Sequence, residues 1–447
     1  MDFTLPSKEQ VDEIIALLAG QDDVYGVYWD KEADEVVRIG ASKDFSLTYT
    51  ADSGTTTITG DFDGVFPWAG MKRCNVADDK SVLAYYGDPN YAEDGSNGQV
   101  MVEIPKFYYR CYRANGRIYW FISPTEKALF KVHPAFVRDG VEKDFIYFSA
   151  FEGCAYDTSI SDYLLADEQV VDFDVTTGDV LSSIAGAQPL SGLTQDATIV
   201  KCRQIAQNRG TDWEMQSFLV SQAVLMLFVV EHATLNWQSA TEGLNIGITN
   251  LASGTGNHSQ NTGHTSLLGN HSGWTTILSA NLENGATGGD TYPNSYHGIE
   301  NFFGNIWTWE DGVNMINYNI YVADHDFASN TSADPYEFVA NVPAVDGYIG
   351  DIVVDQRIDY GFLPRSIDGS QTSGFHDYWY QASGNRVFRR GGNWNNGTNT
   401  GDFIVNDSNN TGNRNQNIGT RLTLCCKNKW ALSTMPLGKR FRTAYGC

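Results

Sequence analysis

The chain has 447 residues with 42% hydrophobic and 13% aromatic content, which is too apolar for a solvated tail and long enough for two or three cores. Its formal net charge of -24 excludes the usual nucleic-acid footprint, because phosphate binding needs clustered Lys and Arg to displace counterions. Seven scattered cysteines with no C-x-x-C pair read as mostly reduced thiols, and the adjacent Cys425 and Cys426 would face opposite sides of a strand.

At the N-terminus, Ser7 and Gln10 form a capping-box pair, and Val11, Ile14, Ile15 and Leu18 recur at helical spacing before Gly20. This predicts a short amphipathic helix within residues 1–22, which either packs on the body of the protein or docks on a partner or its own copies, serving attachment or oligomerisation. No basic region leads into an apolar core there, so no signal peptide is expected. From Val24 to about Ala150 the text is aromatic and β-rich. Within it, Phe107 to Arg113 and Arg117 to Phe121 flank Asn115-Gly116, a hairpin signal. Residues 88–98 are a loop by composition, and 156–200 suit an irregular connection with a domain boundary near 195.

The stretch from Thr211 to about Ala240 carries the strongest helix signal, with Thr211 as N-cap and Glu214 as its capping-box partner. Its second half is apolar on every side, so it is expected to be a buried core helix. The run "AVLMLFVV", 223–230, is too short to cross a bilayer, and no membrane insertion is expected. Residues 243–297 are rich in Gly, Asn, Ser and Thr and read as a long ordered excursion or a flexible loop. Strands resume at "RVFRRGGNW" and "IGTRLTLCCK".

Between those two strands, ten of the twenty-five residues from Asn393 to Asn417 are Asn, and the apolar side chains are Trp394, Phe403, Ile404 and Val405. So polar a tract is expected to lie mostly on the surface, pinned by those four. Asn offers a donor and an acceptor, which suits broad, weak contacts, with affinity expected from aromatic or Arg replacements of those residues.

Tests for chemistry return little. His258, His264 and His271 fall six and seven apart with no carboxylate or thiol completing a metal set, so no metal or cofactor is expected. There is no G-x-S-x-G elbow and no phosphate-cradling Gly loop. Glu310-Asp311 is the most interesting acidic pair; its structural reading, as acceptors for buried donors, outweighs a glycan-hydrolase one. No catalytic residue is assigned, and a binding protein rather than an enzyme is expected.

"GIENFFGNIWTWEDGV", 298–313, followed by "RRGGNW" and then "NIGTRL", resembles the C-type-lectin-like fold of formylglycine-generating-enzyme type, over roughly residues 200–430. The R-G-G-x-W, Asn-rich, N-I-G-x-R order resembles the variable proteins of diversity-generating retroelements, including phage tropism determinants. "VFPWAGMKRCNVADD" and "KVHPAF" resemble a module of phage tail proteins. The superfamily's reactive cysteines are missing between Gly391 and Thr423, and "WNN" at 394–396 lacks the Asp of calcium-dependent sugar lectins, so neither oxidase nor calcium-mediated sugar chemistry carries over.

The resemblance implies an α+β fold, with residues 23–195 as a β-rich tail-associated module and 196–447 as the lectin-like ligand-binding domain. The variable-type region is 390–420. It implies contact residues Asn395, Asn396, Thr398, Asn399, Asp402, Asn406, Asp407, Asn409, Asn410, Asn413 and Asn415. The scaffold would be Trp307, Trp309, Arg390, Gly391, Gly392, Trp394, Ile418, Gly419 and Arg421. Expected partners are a host cell-surface protein or glycan, other tail or baseplate proteins, and further copies of the chain, with a trimer favoured. Synthesis in the host cytoplasm and incorporation into the virion tail follow from the same likeness. The alternative is a tail or baseplate structural protein whose Asn tract contacts a neighbouring subunit.

Overall fold

The computed structural model describes residues 21–238, 245–252 and 254–425. The amphipathic helix expected within residues 1–22 lies outside the described residues but for its last two positions. The α+β expectation is overturned: the described residues are predominantly β, with 36% strand and 11% helix counting 3-10 turns, and they hold two α-helices, α1 (Ile199–Gln207) and α2 (Phe218–His232). One buried helix does not make a helical layer, and the Gly- and Thr-rich segments around it pair as short strands instead.

The hairpin signal at Asn115-Gly116 has its physical basis in both residues adopting positive φ, 51° and 76°. That backbone twist matches the flanking strands Tyr108–Ala114 and Arg117–Ser123, which pair antiparallel. Strands Tyr25–Asp30, Glu35–Gly40 and Lys131–Val132 complete a five-stranded sheet around them.

Helix α2 is buried along its whole length, in keeping with its apolar sequence. Its start differs from the expectation. Ser217, whose hydroxyl accepts from the Val220 N–H, is the N-cap, and Ala233 closes the helix in the left-handed region at φ 50°. Thr211 does not cap it because Trp213–Met215 is drawn into a strand beside Leu422–Cys425. There Glu214 meets Arg138 instead of a helix N–H. Helix α1 is capped by Thr198.

The strand Leu422–Cys425 is the seam of the molecule. It lies between Trp213–Met215 and Phe145–Ser149, and the sheet continues through Gln99–Pro105, Lys72–Val76 and Val82–Tyr85. A further five-stranded sheet joins Leu47–Asp52 and Thr55–Gly60 to Ser272–Thr275, Asn294–Tyr296 and Ile299–Glu300. Backbone pairing therefore crosses the boundary expected near 195. One continuous hydrophobic core takes in Trp29, Phe148, the α2 side chains, Trp379 and Phe403 alike. The eight-stranded sheet runs Glu337–Asn341, Asn319–Val322, Trp307–Ile316, Asn385–Arg390, Val405–Asn409, Tyr378–Gln381 and Gly347–Tyr348, with Ile418–Gly419 parallel to the start of Trp307–Ile316.

The C-terminal end of α2 buries an ion pair: Glu231 accepts from His297 Nε2 at 2.8 Å and from the Tyr296 hydroxyl at 2.8 Å. Burial opposes both charges, but mutual attraction and the hydrogen bond outweigh it, holding His297 above its ordinary 6.5 and Glu231 below its ordinary 4.5. His232, on the same turn, is driven by burial down to about 4, and Arg38 donates to the Glu231 carbonyl. The His297 contribution is complete below pH 6.5 and lost as pH rises through its raised value. The Glu231 contribution is complete above pH 4.5 and lost as pH falls through its lowered one. His297→Gln is therefore expected to lose about 2 kcal/mol in the window between those values, and progressively less above it. Urea midpoints for both proteins across pH check this; a deficit that grows above neutrality contradicts it.

Candidate functional site

The frame around the Asn tract is assembled from buried polar and aromatic side chains. Strand Asn385–Arg390 ends at Gly391 and Gly392, whose φ values of 88° and 73° turn the chain away from the sheet. A Cβ at Gly392 would lie 2.5 Å from the Thr400 methyl, so only glycine fits both the angle and the space. Trp394 is buried on Ile248, Leu251 and Ile306, and its backbone exchanges hydrogen bonds with Leu251 and Asn305. Trp307 and Trp309 are buried with Ile418 on the α1 side of the sheet. Gly419 packs so closely that a Cβ would meet the Leu190 carbonyl at 2.4 Å.

Two buried arginines tie this frame together. Arg390 lies over the Phe302 ring at 4.3 Å, faces Glu310 at 3.4 Å and donates to the Asp402 carbonyl. Arg421 donates to the Glu300 and Asn301 carbonyls and faces Glu152 at 4.0 Å. Glu310 is thus a fully buried partner of Arg390, and Asp311 makes a two-point pair with Arg203 at 2.6 and 2.8 Å. His258 and His264 are spent separately, on the Asn284 carbonyl and on Glu283. Among the described residues no group of three or more His, Cys, Asp or Glu could hold a metal ion.

The eleven tract positions fall into three places. Asn395, Asn396, Thr398 and Asn399 lie on a surface loop that includes a short 3-10 turn, Gly397–Asn399. Asn410, Asn413 and Asn415 lie on a second surface loop. Asp402, Asn406, Asp407 and Asn409 are buried between them, and this corrects the expectation that so polar a stretch stays outside. Val405–Asn409 is an inner strand, antiparallel to Asn385–Arg390 and parallel to Tyr378–Gln381. Three of its polar side chains are mutually bonded: Asn406 Oδ1 accepts from the Ser408 N–H, the Ser408 hydroxyl and Asn409 Nδ2, at 2.7 to 3.0 Å, whereas the Asp407 carboxylate is buried without a hydrogen-bond partner. Burial pushes Asp402 up to about 7 and Asp407 well above the carboxylate range.

A five-residue strand spans roughly 17 Å, so the two loops are separate surfaces. The second is pinned by polar bonds: Gln416 to the Gly254 carbonyl and the Gly256 N–H, Asn330 to Thr411, and Arg414 to Asp196. The first loop has different company. Gly397 donates to the Thr249 carbonyl and accepts from Gln238, which fixes the backbone. Asn399 then reaches a tyrosine trio, donating to the Tyr380 hydroxyl at 3.1 Å and accepting from Tyr348. Tyr378 joins the other two, its ring centroid 5.0 Å from Tyr348 and 4.5 Å from Tyr380. Gln371 extends the patch by donating to Thr398 at 2.7 Å. All three tyrosines are half-buried; Asn399 engages the Tyr348 and Tyr380 hydroxyls, and the rings brace one another.

The tyrosines were not singled out in the sequence. The signal was present in "YWYQ": strand alternation sends Trp379 into the core and turns Tyr378 and Tyr380 to the other face. Tyr348 lies on the neighbouring strand, which no local pattern links to 378–381.

No family model matches the chain, and no curated protein matches it. Among solved structures it is similar to variants titled Major Tropism Determinant. For the P3c variant the identity is 13% and the TM-score 0.27, covering 90% of this chain and 72% of that one. For the M1 variant the identity is 12% and the TM-score 0.26, with coverages of 88% and 92%. The U1 variant gives 12% and 0.24 with the same coverages.

Proposed function

We propose that this chain is a phage or prophage tail-associated receptor-binding protein. The loop 395–399 and the Tyr348, Tyr378 and Tyr380 trio form its contact surface for a protein or glycan on the host cell. The observation that carries this reading is the composition and bracing of that patch. Half-exposed tyrosines locked ring against ring supply contact area at low entropic cost, and the exposed Asn and Thr beside them supply adaptable hydrogen bonds. The R-G-G-x-W to N-I-G-x-R frame around it supports the same conclusion. Such a surface works by presentation and needs no catalytic group. Weak single contacts add up when many copies share one particle, which fits a homo-oligomer carried on the virion tail.

The two loops make the test. Replacing Asn395, Thr398 and Asn399 together by Ala is expected to lower adsorption of the purified protein to host cells about tenfold or more. The same change at Asn410, Asn413 and Asn415 should stay within about twofold. Equal loss from both sets, or none from the first, removes the assignment of the contact surface.

A further inference from the structure

A cleft of about 820 Å³ opens elsewhere, where the Asn115-Gly116 turn faces the segment 353–365. In a chain of net charge -24, three guanidiniums line it: Arg110, Arg113 and Arg365. We propose that it binds an acidic saccharide, the sugar carboxylate seated on Arg110 and Arg365.

The argument is an imbalance of pairing. The buried Asp351 takes Arg113 at 2.5 Å, yet Arg365 and Lys31 also stand 3.8 and 3.9 Å from it. One carboxylate cannot neutralise three cations. Asp368, 3.5 Å from Lys31, engages that one, and the exposed Arg365 fork is left with unused donors. Arg110 lies over the Tyr112 ring at 5.1 Å and gives one N–H to the Leu129 carbonyl, and its Nε finds no acceptor in the protein.

Two acids line the cleft beside the three guanidiniums. Asp359 holds the Tyr109 hydroxyl at 2.5 Å and is paired with Lys131 at 2.9 Å. The exposed Asp355 keeps its charge and accepts from the Arg357 and Ile358 N–H groups at 2.8 and 3.2 Å. The remaining excess of guanidiniums favours an anion, and the planar fork suits a carboxylate.

The walls select the body of the ligand. The half-buried Val353 and Val354 offer an apolar face for a ring. The exposed amides of Asn115 and Gln356 offer donors and acceptors for ring hydroxyls. The volume lies in the range of ordinary small-ligand sites, enough for about two sugar rings.

Titration of the full chain with digalacturonate, uncharged galactobiose and inorganic phosphate tests this. Digalacturonate is expected to bind about tenfold or more tighter than either other probe, and more weakly as salt rises. Arg365→Gln, an exposed change that leaves Arg113 on Asp351, is expected to cost about tenfold, and Arg110→Gln a similar factor. Asn399→Ala should leave this affinity unchanged, which separates the cleft from the tyrosine patch. No binding of digalacturonate, equal binding of galactobiose or phosphate, or an Arg365→Gln protein of unaltered affinity would each overturn the proposal. Should Arg110→Gln fail to fold, Arg365→Gln decides alone.

Discussion

Arg421→Met is expected to remove about 3–5 kcal/mol of stability near pH 8, and distinctly less near pH 5.5. Arg421 is almost wholly buried and serves two backbone carbonyls besides Glu152. Burial pushes Glu152 up to about 7, against the opposing pull of Arg421 and of the Asn305 and Asn301 amides, which reach it at 2.7 and 3.1 Å. Taking the guanidinium away leaves that carboxyl with less to hold its charge, so its folded pKa rises further. A carboxyl raised in the folded state binds protons more tightly there than in the unfolded chain. The variant therefore loses stability as pH climbs from the ordinary 4.5 towards the new folded value. The double change with Glu152→Gln should recover part of the loss near pH 8 and flatten its pH dependence. Urea midpoints at the two pH values decide the matter: an equal loss at both would mean that the carbonyl contacts, not the charge, make Arg421 matter.

That pair also marks where the sequence stops being legible. Arg421 stands out because it closes the N-I-G-x-R frame, but Glu152 sits in an unremarkable aromatic stretch far away in the chain. Only folding brings the two together, and no local period encodes it. What sequence conveys well is local. Asn115-Gly116 specifies its own hairpin through two positive φ angles, and the α2 run, apolar all round, has to be buried. A tertiary partner can override a local signal. The capping pair Thr211 and Glu214 marks a helix start in the sequence, but the ladder with Leu422–Cys425 turns 213–215 into a strand, and Ser217 caps instead. Asn content has the same ambiguity. An Asn beside Gly serves a surface loop at 395–399, whereas Asn406 and Asn409 close their own hydrogen bonds inside a sheet.

Tyr378→Ala should weaken adsorption to host cells by roughly 30-fold, about 2 kcal/mol, the largest effect of any single change in the patch. Tyr378 is the middle ring, in contact with both Tyr348 and Tyr380. Truncating it removes contact area and also releases its neighbours into alternative rotamers, so ordering that the folded chain now supplies would have to come out of binding. Tyr378→Phe keeps both ring contacts and should stay close to the parent. Tyr380→Phe keeps the rings but removes the acceptor for the Asn399 amide, 3.1 Å away, and should lie between the two. Because Tyr378 is half-buried on the face of the strand opposite the fully buried Trp379, unfolding by heat should shift little in any of the three proteins. The ranking separates two roles for the trio. If bracing rather than hydroxyl chemistry sets the affinity, the order of loss is Ala at 378, then Phe at 380, then Phe at 378. A folded Tyr378→Ala protein that adsorbs as well as the parent would place the contact surface elsewhere on the molecule.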